Sequence, residues 1–265
     1  MLFRSGVNGA QTEAALRAFQ RAQGLRPSGV LDEVTRVALQ TPAPAVAEHL
    51  LTAEELGEFR PLPTTWLEKS EQPRLVFASA LEMLGERFRA NPKLLRQLNP
   101  EVDWDQVAAG TVVRVPNVEQ ALVLRPPVRL VVRLAARELE AEDAAGSVVA
   151  HFPVSIARKV EKRPSGDLKI TVVVRDPNYT FDPEVFPESD EAKQLGRKLI
   201  IPPGPNNPVG RAWIGLSLSG YGIHGTPDPE KVGRTESHGC FRLANWDALT
   251  LLDLVTVGMT VSVEP

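Results

Sequence analysis

Cysteine occurs once in these 265 residues, at position 240. A single copy excludes an intramolecular disulfide framework, and zinc sites built on two or four cysteines go with it. Excess charge of one sign is also missing: 30 Lys and Arg stand against 33 Asp and Glu, a formal net charge of −3. Such a chain has no broad basic field to grip phosphates, so no nucleic-acid partner is expected. No stretch approaches the ~18 uninterrupted apolar residues that suggest a membrane span. Histidine is sparse too, with four copies, whereas proline is abundant at 23. At well above the roughly 5% that is usual, the prolines mark linkers and extended segments.

The length allows two domains or more, and the chain divides by pattern. In residues 1–40, Thr12-Glu13-Ala14-Ala15-Leu16 is echoed by Thr35-Arg36-Val37-Ala38-Leu39, each after a Gly-containing turn. Leu16, Phe19 and Ala22 share one helix face, Gly24 sits where a helix stops, and Asp32 suits an N-cap. Residues 41–72 open with Thr41-Pro42-Ala43-Pro44 and read as a linker holding one short capped helix from Thr52. In 73–119, Leu81, Leu84 and Phe88 form one helix face, and Asn91-Pro92 caps a second helix with Leu94, Leu95 and Leu98. A strand follows at 111–115.

From Val128 the apolar period becomes two, as in Ala150, Phe152, Val154 and Ile156, or Leu168, Ile170, Val172 and Val174. Further strands are expected at 128–134, 137–142, 211–218, 221–224 and 260–264, with one clear helix at 246–255. The fold class expected for 126–265 is a mainly antiparallel β sandwich or barrel, preceded by small helical and α+β modules. Residues 176–210 carry seven prolines and read as a lid or groove wall.

The chemistry concentrates in IHGTPDPEKVGRTESHGCFRLANWDA, residues 223–248, which places His224, His238 and Cys240 within 17 positions. Three readings of the residues stand. Cys240 is an inert buried thiol; or His224, His238 and Cys240 are three ligands of a zinc ion; or Cys240 is a nucleophile. For the last, a histidine takes the thiol proton, and backbone N–H groups beside Gly239 meet the developing oxyanion. Asn245, just before a helix, reads as its cap, and Trp213 either borders the groove or, the preferred reading, packs in the core. Tyr221 is placed to border the groove.

The pattern IHGTP…GRxxSHGCxRLxNxD, with PPGPNNPVG and YGIHGTP before it, resembles the L,D-transpeptidase catalytic domain, the YkuD-like family. The repeat in 1–40 resembles a partial peptidoglycan-binding module, and 73–119 resembles a LysM glycan-binding module, where Trp104 is either partial core or a sugar platform. The resemblance implies Cys240 as nucleophile and His224 as base, with the Gly225 carbonyl orienting the imidazole. It further implies His238 as a catalytic residue lining the site and supporting the transition state, an oxyanion hole at Gly239 and Cys240, and Arg242, Ser237 and Tyr221 on the substrate. No cofactor or metal is implied. The expected partners are peptidoglycan stem peptides and glycan strands, and the protein itself is expected to be a monomer. The same site could serve an L,D-carboxypeptidase, or survive in a non-catalytic wall-binding protein. The opening MLFRSGVNGA has no apolar export segment, which alone reads as cytoplasmic. With the incomplete first module, the expectation is a missing N-terminal segment and a periplasmic or cell-wall location.

Overall fold

The computed structural model describes residues 9–39, 43–57, 59–118, 125–185, 190–234 and 239–265. Helix α1 (Ala10–Ala22) ends as its sequence requires, with Gly24 in the left-handed region at φ +67°. Asp32 caps α2 (Glu33–Ala38) by accepting from the Thr35 N–H at 2.8 Å. The two helices are tied by the buried Gln20 amide, which donates to Val30 O and Thr35 Oγ1 and accepts from Gly29 N.

The next unit is built on strand β1 (Val46–Leu50), α3 (Ala53–Leu56), α4 (Trp66–Ser70), α5 (Ala80–Arg87), α6 (Pro92–Leu98) and β2 (Val112–Pro116). β1 pairs antiparallel with β2, from Val46 opposite Pro116 to Leu50 opposite Val112. Leu51, Leu81, Leu84, Phe88, Leu95, Val113 and Val115 form its core. Trp104 packs half-buried against that core, which favours the packing reading of this residue. The boundary expected from sequence needs correcting, because β1 lies inside the expected linker 41–72. Its partner is more than 60 residues away and no β1 residue is fully buried, so the short run VAEHL has little local signal.

The third unit contains β3 (Arg129–Arg133), β4 (Glu138–Glu142), β5 (Val148–Pro153), β6 (Gly166–Arg175), β7 (Tyr179–Phe181), α7 (Asp190–Leu195) and β8 (Leu199–Ile201). It continues with β9 (Ala212–Leu216), β10 (Gly222–His224), β11 (Phe241–Arg242), α8 (Asn245–Leu254) and β12 (Thr260–Glu264). Eight strands form one sheet in the order β11-β10-β9-β6-β12-β3-β4-β5. Most neighbours are antiparallel, but β10 with β11 and β12 with β3 are parallel. The sheet curls until its two ends meet: Ser155, just past β5, exchanges both backbone hydrogen bonds with Arg242 of β11 at 3.0 Å. The seam of this barrel-like sheet therefore falls two residues from Cys240. Phe152, Ile170, Ile214, Ile223, Phe241 and Val261 fill its core, closed by Ala248 and Leu251 of α8.

The proline-rich 176–210 is more regular than expected, for β7 and β8 pair as a hairpin. The excursion between β1 and α5 crosses to it. Trp66 stacks on Phe181 at 4.4 Å and 17°, and Leu75 joins Phe181, Leu199 and Ile201 in a separate apolar cluster. Leu75 N donates to Pro203 O, and Asn206 Nδ2 donates to Val76 O. The first unit docks as well: Arg21 of α1 pairs with buried Glu140 on β4. A cavity of about 200 Å³ remains between α1 and β5, lined by Ala18, Phe19 and Val149 among others.

Glu86 lies in the seam between α5 and α8, hydrogen-bonded to Asn245, with Arg211, Glu82 and Asp247 nearby. Burial pushes its carboxyl from 4.5 up to about 8. The folded state thus holds a proton that the unfolded chain releases above pH 4.5, so stability falls as pH rises from there through about 8. Glu86→Gln is expected to remove this loss, gaining about 2–4 kcal/mol at pH 8. Melting curves at pH 5 and pH 8 check it: the downward shift of the wild type should shrink in the variant.

Candidate active site

Strand β10 is only three residues long, Gly222-Ile223-His224, and sits between β9 and β11. Ile223 lies opposite Phe241 and His224 opposite Arg242. Side chains alternate across a strand, so Ile223 and Phe241 enter the core while His224 and Arg242 share the other face. Extending the register by one residue puts Cys240 beside Gly222 on that same face. Cys240, His224 and Arg242 are therefore brought together by strand pairing.

His224 is 6% exposed, and its Nδ1 lies 2.6 Å from the carbonyl oxygen of Gly225. A carbonyl only accepts, so Nδ1 carries the proton and Nε2 keeps its lone pair. Burial pulls the imidazole from 6.5 down to about 4; the Gly225 carbonyl opposes this, and the Arg242 charge adds to it. Cys240 is half-buried. Burial raises its thiol above 9.0, while the Gly222 N–H and Arg242 favour the thiolate. The thiol also donates toward Gly220 O at 3.6 Å. Around neutral pH both groups are uncharged, and the proton leaves sulfur only when a base takes it during reaction.

Arg242 is half-buried. Burial lowers its guanidinium, and Asp228 and Cys240 counter that effect. Tyr221 packs against Gly239, and its hydroxyl donates to Lys162 O at 3.0 Å. Tyr179 of the β7–β8 hairpin also faces this site: burial raises its phenol, with Cys240 as the next cause. His238 and Ser237 lie outside the described residues.

Two residues have roles that sequence reasoning missed. Asn245 is not a cap; Ala244 occupies the N-cap of α8 and makes no side-chain cap bond. Instead Asn245 is buried, with Oδ1 accepting from Arg211 N at 3.0 Å and Nδ2 donating to Pro205 O at 3.1 Å. It backs the turn at Gly225, where a Cβ would collide with Oδ1. The pairing of Asn245 with residues 34 and 40 positions away has no local sequence signal. Gly225→Ala must therefore push aside the Asn245 side chain or shift the turn whose carbonyl holds His224, and a loss of roughly 10²-fold in acylation rate is expected. Time-resolved intact mass with a β-lactam probe would measure it. Trp213 is likewise not core: it is half-buried and stacks on His224, ring centroids 5.8 Å apart and 23° from parallel.

Among the described residues, Glu138, Glu140 and His151 could bring ligand atoms within 4.8 Å of one another. Glu140 is already paired with Arg21 and Arg133, so this cluster is an ion-pair knot rather than a vacant cation site.

A buried imidazole fixed by a backbone carbonyl thus shares a sheet face with a half-buried thiol and an arginine. The chain matches the YkuD model, described as the L,D-transpeptidase catalytic domain, over residues 127–263. It also matches a putative peptidoglycan binding domain over residues 4–39. The first match spans more than half of the chain, which therefore belongs to the YkuD family of L,D-transpeptidase catalytic domains, cysteine-dependent acyltransferases.

The chain is 29% identical over 185 residues to the putative L,D-transpeptidase YkuD of Bacillus licheniformis, covering 70% of this chain and 93% of that one. It is 31% identical over 188 residues to the probable L,D-transpeptidase ErfK/SrfK of Salmonella typhimurium, covering 69% and 59%. L,D-transpeptidase 3 of Mycobacterium tuberculosis, a solved structure, is 17% identical, with 60% of this chain and 77% of that chain covered at a TM-score of 0.41.

Proposed function

We propose that this L,D-transpeptidase forms 3→3 cross-links, or equivalent wall attachments, in peptidoglycan through a thioester on Cys240. The observation that carries this reading is the 2.6 Å contact from His224 Nδ1 to the Gly225 carbonyl, which leaves Nε2 as the free base on the face shared with Cys240. Nε2 takes the thiol proton as sulfur attacks the amide between diaminopimelate and D-Ala of a donor stem. The oxyanion is met by the N–H groups of Gly239 and Cys240. The imidazolium returns the proton to the leaving D-Ala amine, and a thioester remains. The side-chain amine of a second diaminopimelate attacks the thioester, its proton passes to His224, and sulfur leaves as the thiol. Arg242, with Ser237, is assigned to the stem carboxylates and the groove, His238 lines the site and supports the transition state, and Tyr221 borders the groove.

Residues 9–39 are read as the anchor that keeps the enzyme on the polymer, in keeping with the family match there. We read β1, α5, α6 and β2, with α3 and α4 inserted between β1 and α5, as a LysM-like glycan module sharing one core. A periplasmic or wall location follows from the substrate. No helix among the described residues is long and apolar enough to cross a membrane. Mass spectrometry of purified muropeptides incubated with the protein tests the reaction. Cross-linked dimers are expected; tripeptide monomers alone would replace transfer by hydrolysis, and unchanged substrate would refute both.

A further inference from the structure

Trp213 on β9 stands opposite His224 on β10, and Gly215 stands opposite Gly222 on the same strands. The indole lies over both glycines. A Cβ on Gly222 would come within 2.7 Å of its Cζ2 and Cη2, and one on Gly215 within 3.1 Å of its Nε1. Two facing positions without side chains thus form a slot that the ring fills. Gly222 also turns its N–H toward the sulfur of Cys240. Indole and thiol converge on this one glycine.

The Gly225 carbonyl fixes His224 at a single atom, and rotation of a histidine ring about its last side-chain bond is otherwise soft. A flat aromatic face alongside removes that freedom and excludes water from one side of the ring. We propose that Trp213 is a positioning residue for the base assigned above, its indole setting the plane of the His224 ring and shielding it from solvent. This rests on the reading of His224 as base. The charged groups acting on the ring come from β11, as Arg242 beside Cys240; Asp247 on α8 acts instead on Arg89 and Glu86.

The test is a pH titration of the His224 ring by NMR, run beside imipenem acylation followed by intact mass. Wild type, Trp213→Phe, Trp213→Ala and Gly222→Ala are compared. In Trp213→Ala the ring meets water, so its titration is expected to rise from about 4 toward its ordinary 6.5. Acylation at pH 7 should slow roughly tenfold or more. Trp213→Phe keeps a flat face and should restore most of the rate and the low titration. Gly222→Ala evicts the indole, and its defect should add little to that of Trp213→Ala in the double variant. Should Trp213→Ala not fold, Trp213→Leu serves, with a smaller rise in the same direction. A titration unmoved by losing the indole, or Phe no better than Ala, overturns the proposal. Wild type failing to take the probe overturns the acyl-transfer reading instead, while the titration still decides the role of Trp213 independently.

Discussion

Cys240→Ala is expected to gain no mass with imipenem, whereas the wild type gains one covalent adduct. Cross-linking of muropeptides should fall on the order of 10⁴-fold or more, because no other group can carry the acyl chain between the two halves of the reaction. The substitution is conservative for the fold. Cys240 is half-buried, and the long 3.6 Å contact with Gly220 O is a weak one. An alanine variant therefore folds, and its inactivity reports on chemistry. An adduct persisting in Cys240→Ala, located to another residue, would remove the nucleophile from its assigned place.

The second large effect concerns His224. Because burial holds the imidazole near 4 and lifts the thiol, the resting pair is neutral rather than a thiolate with an imidazolium. Activity is then lost as pH falls through about 4, where Nε2 becomes protonated, and is level across the neutral range. His224→Ala should lower acylation by about 10²–10⁴-fold at pH 7. Above the raised thiol value the variant should recover, since sulfur then ionises without help. Stability moves in the same sense. The unfolded chain binds a proton near 6.5 that the folded chain refuses until about 4. About 3 kcal/mol is therefore lost as pH falls across that window. Rate against pH for both proteins, with melting curves at pH 7 and pH 4.5, separates the two contributions. A wild-type acid limb near 6.5 would mean an imidazole open to water.

Much of this was legible in the chain. The strands expected at 128–134, 137–142, 211–218, 221–224 and 260–264 correspond to β3, β4, β9, β10 and β12, although only β12 alternates cleanly in burial and β4 and β10 are buried throughout. Asp32, Thr52 and Asn91 cap helices as expected, since capping is decided within three residues. The Gly225 carbonyl was expected by resemblance to orient the imidazole, and His224 Nδ1 lies 2.6 Å from it. What escaped has long range. β1 has no partner for more than 60 residues, and the meeting of Ser155 with Arg242 depends on how far the whole sheet curls. Asn245 sits where a cap is expected and does something else. Trp213 looks like any aromatic in an apolar strand. Only the pairing with His224, and the two glycines beneath it, distinguish it from core.

The junction at Ser155 has one more consequence. Arg242 gives both its outward N–H and its carbonyl to that residue. An extended peptide arriving at β11 finds both main-chain groups of Arg242 already paired, so strand addition, the common way for a sheet to capture a peptide, is blocked at that residue. A chain held against Arg242 is therefore met there by its side chain and the neighbouring loops rather than by its backbone.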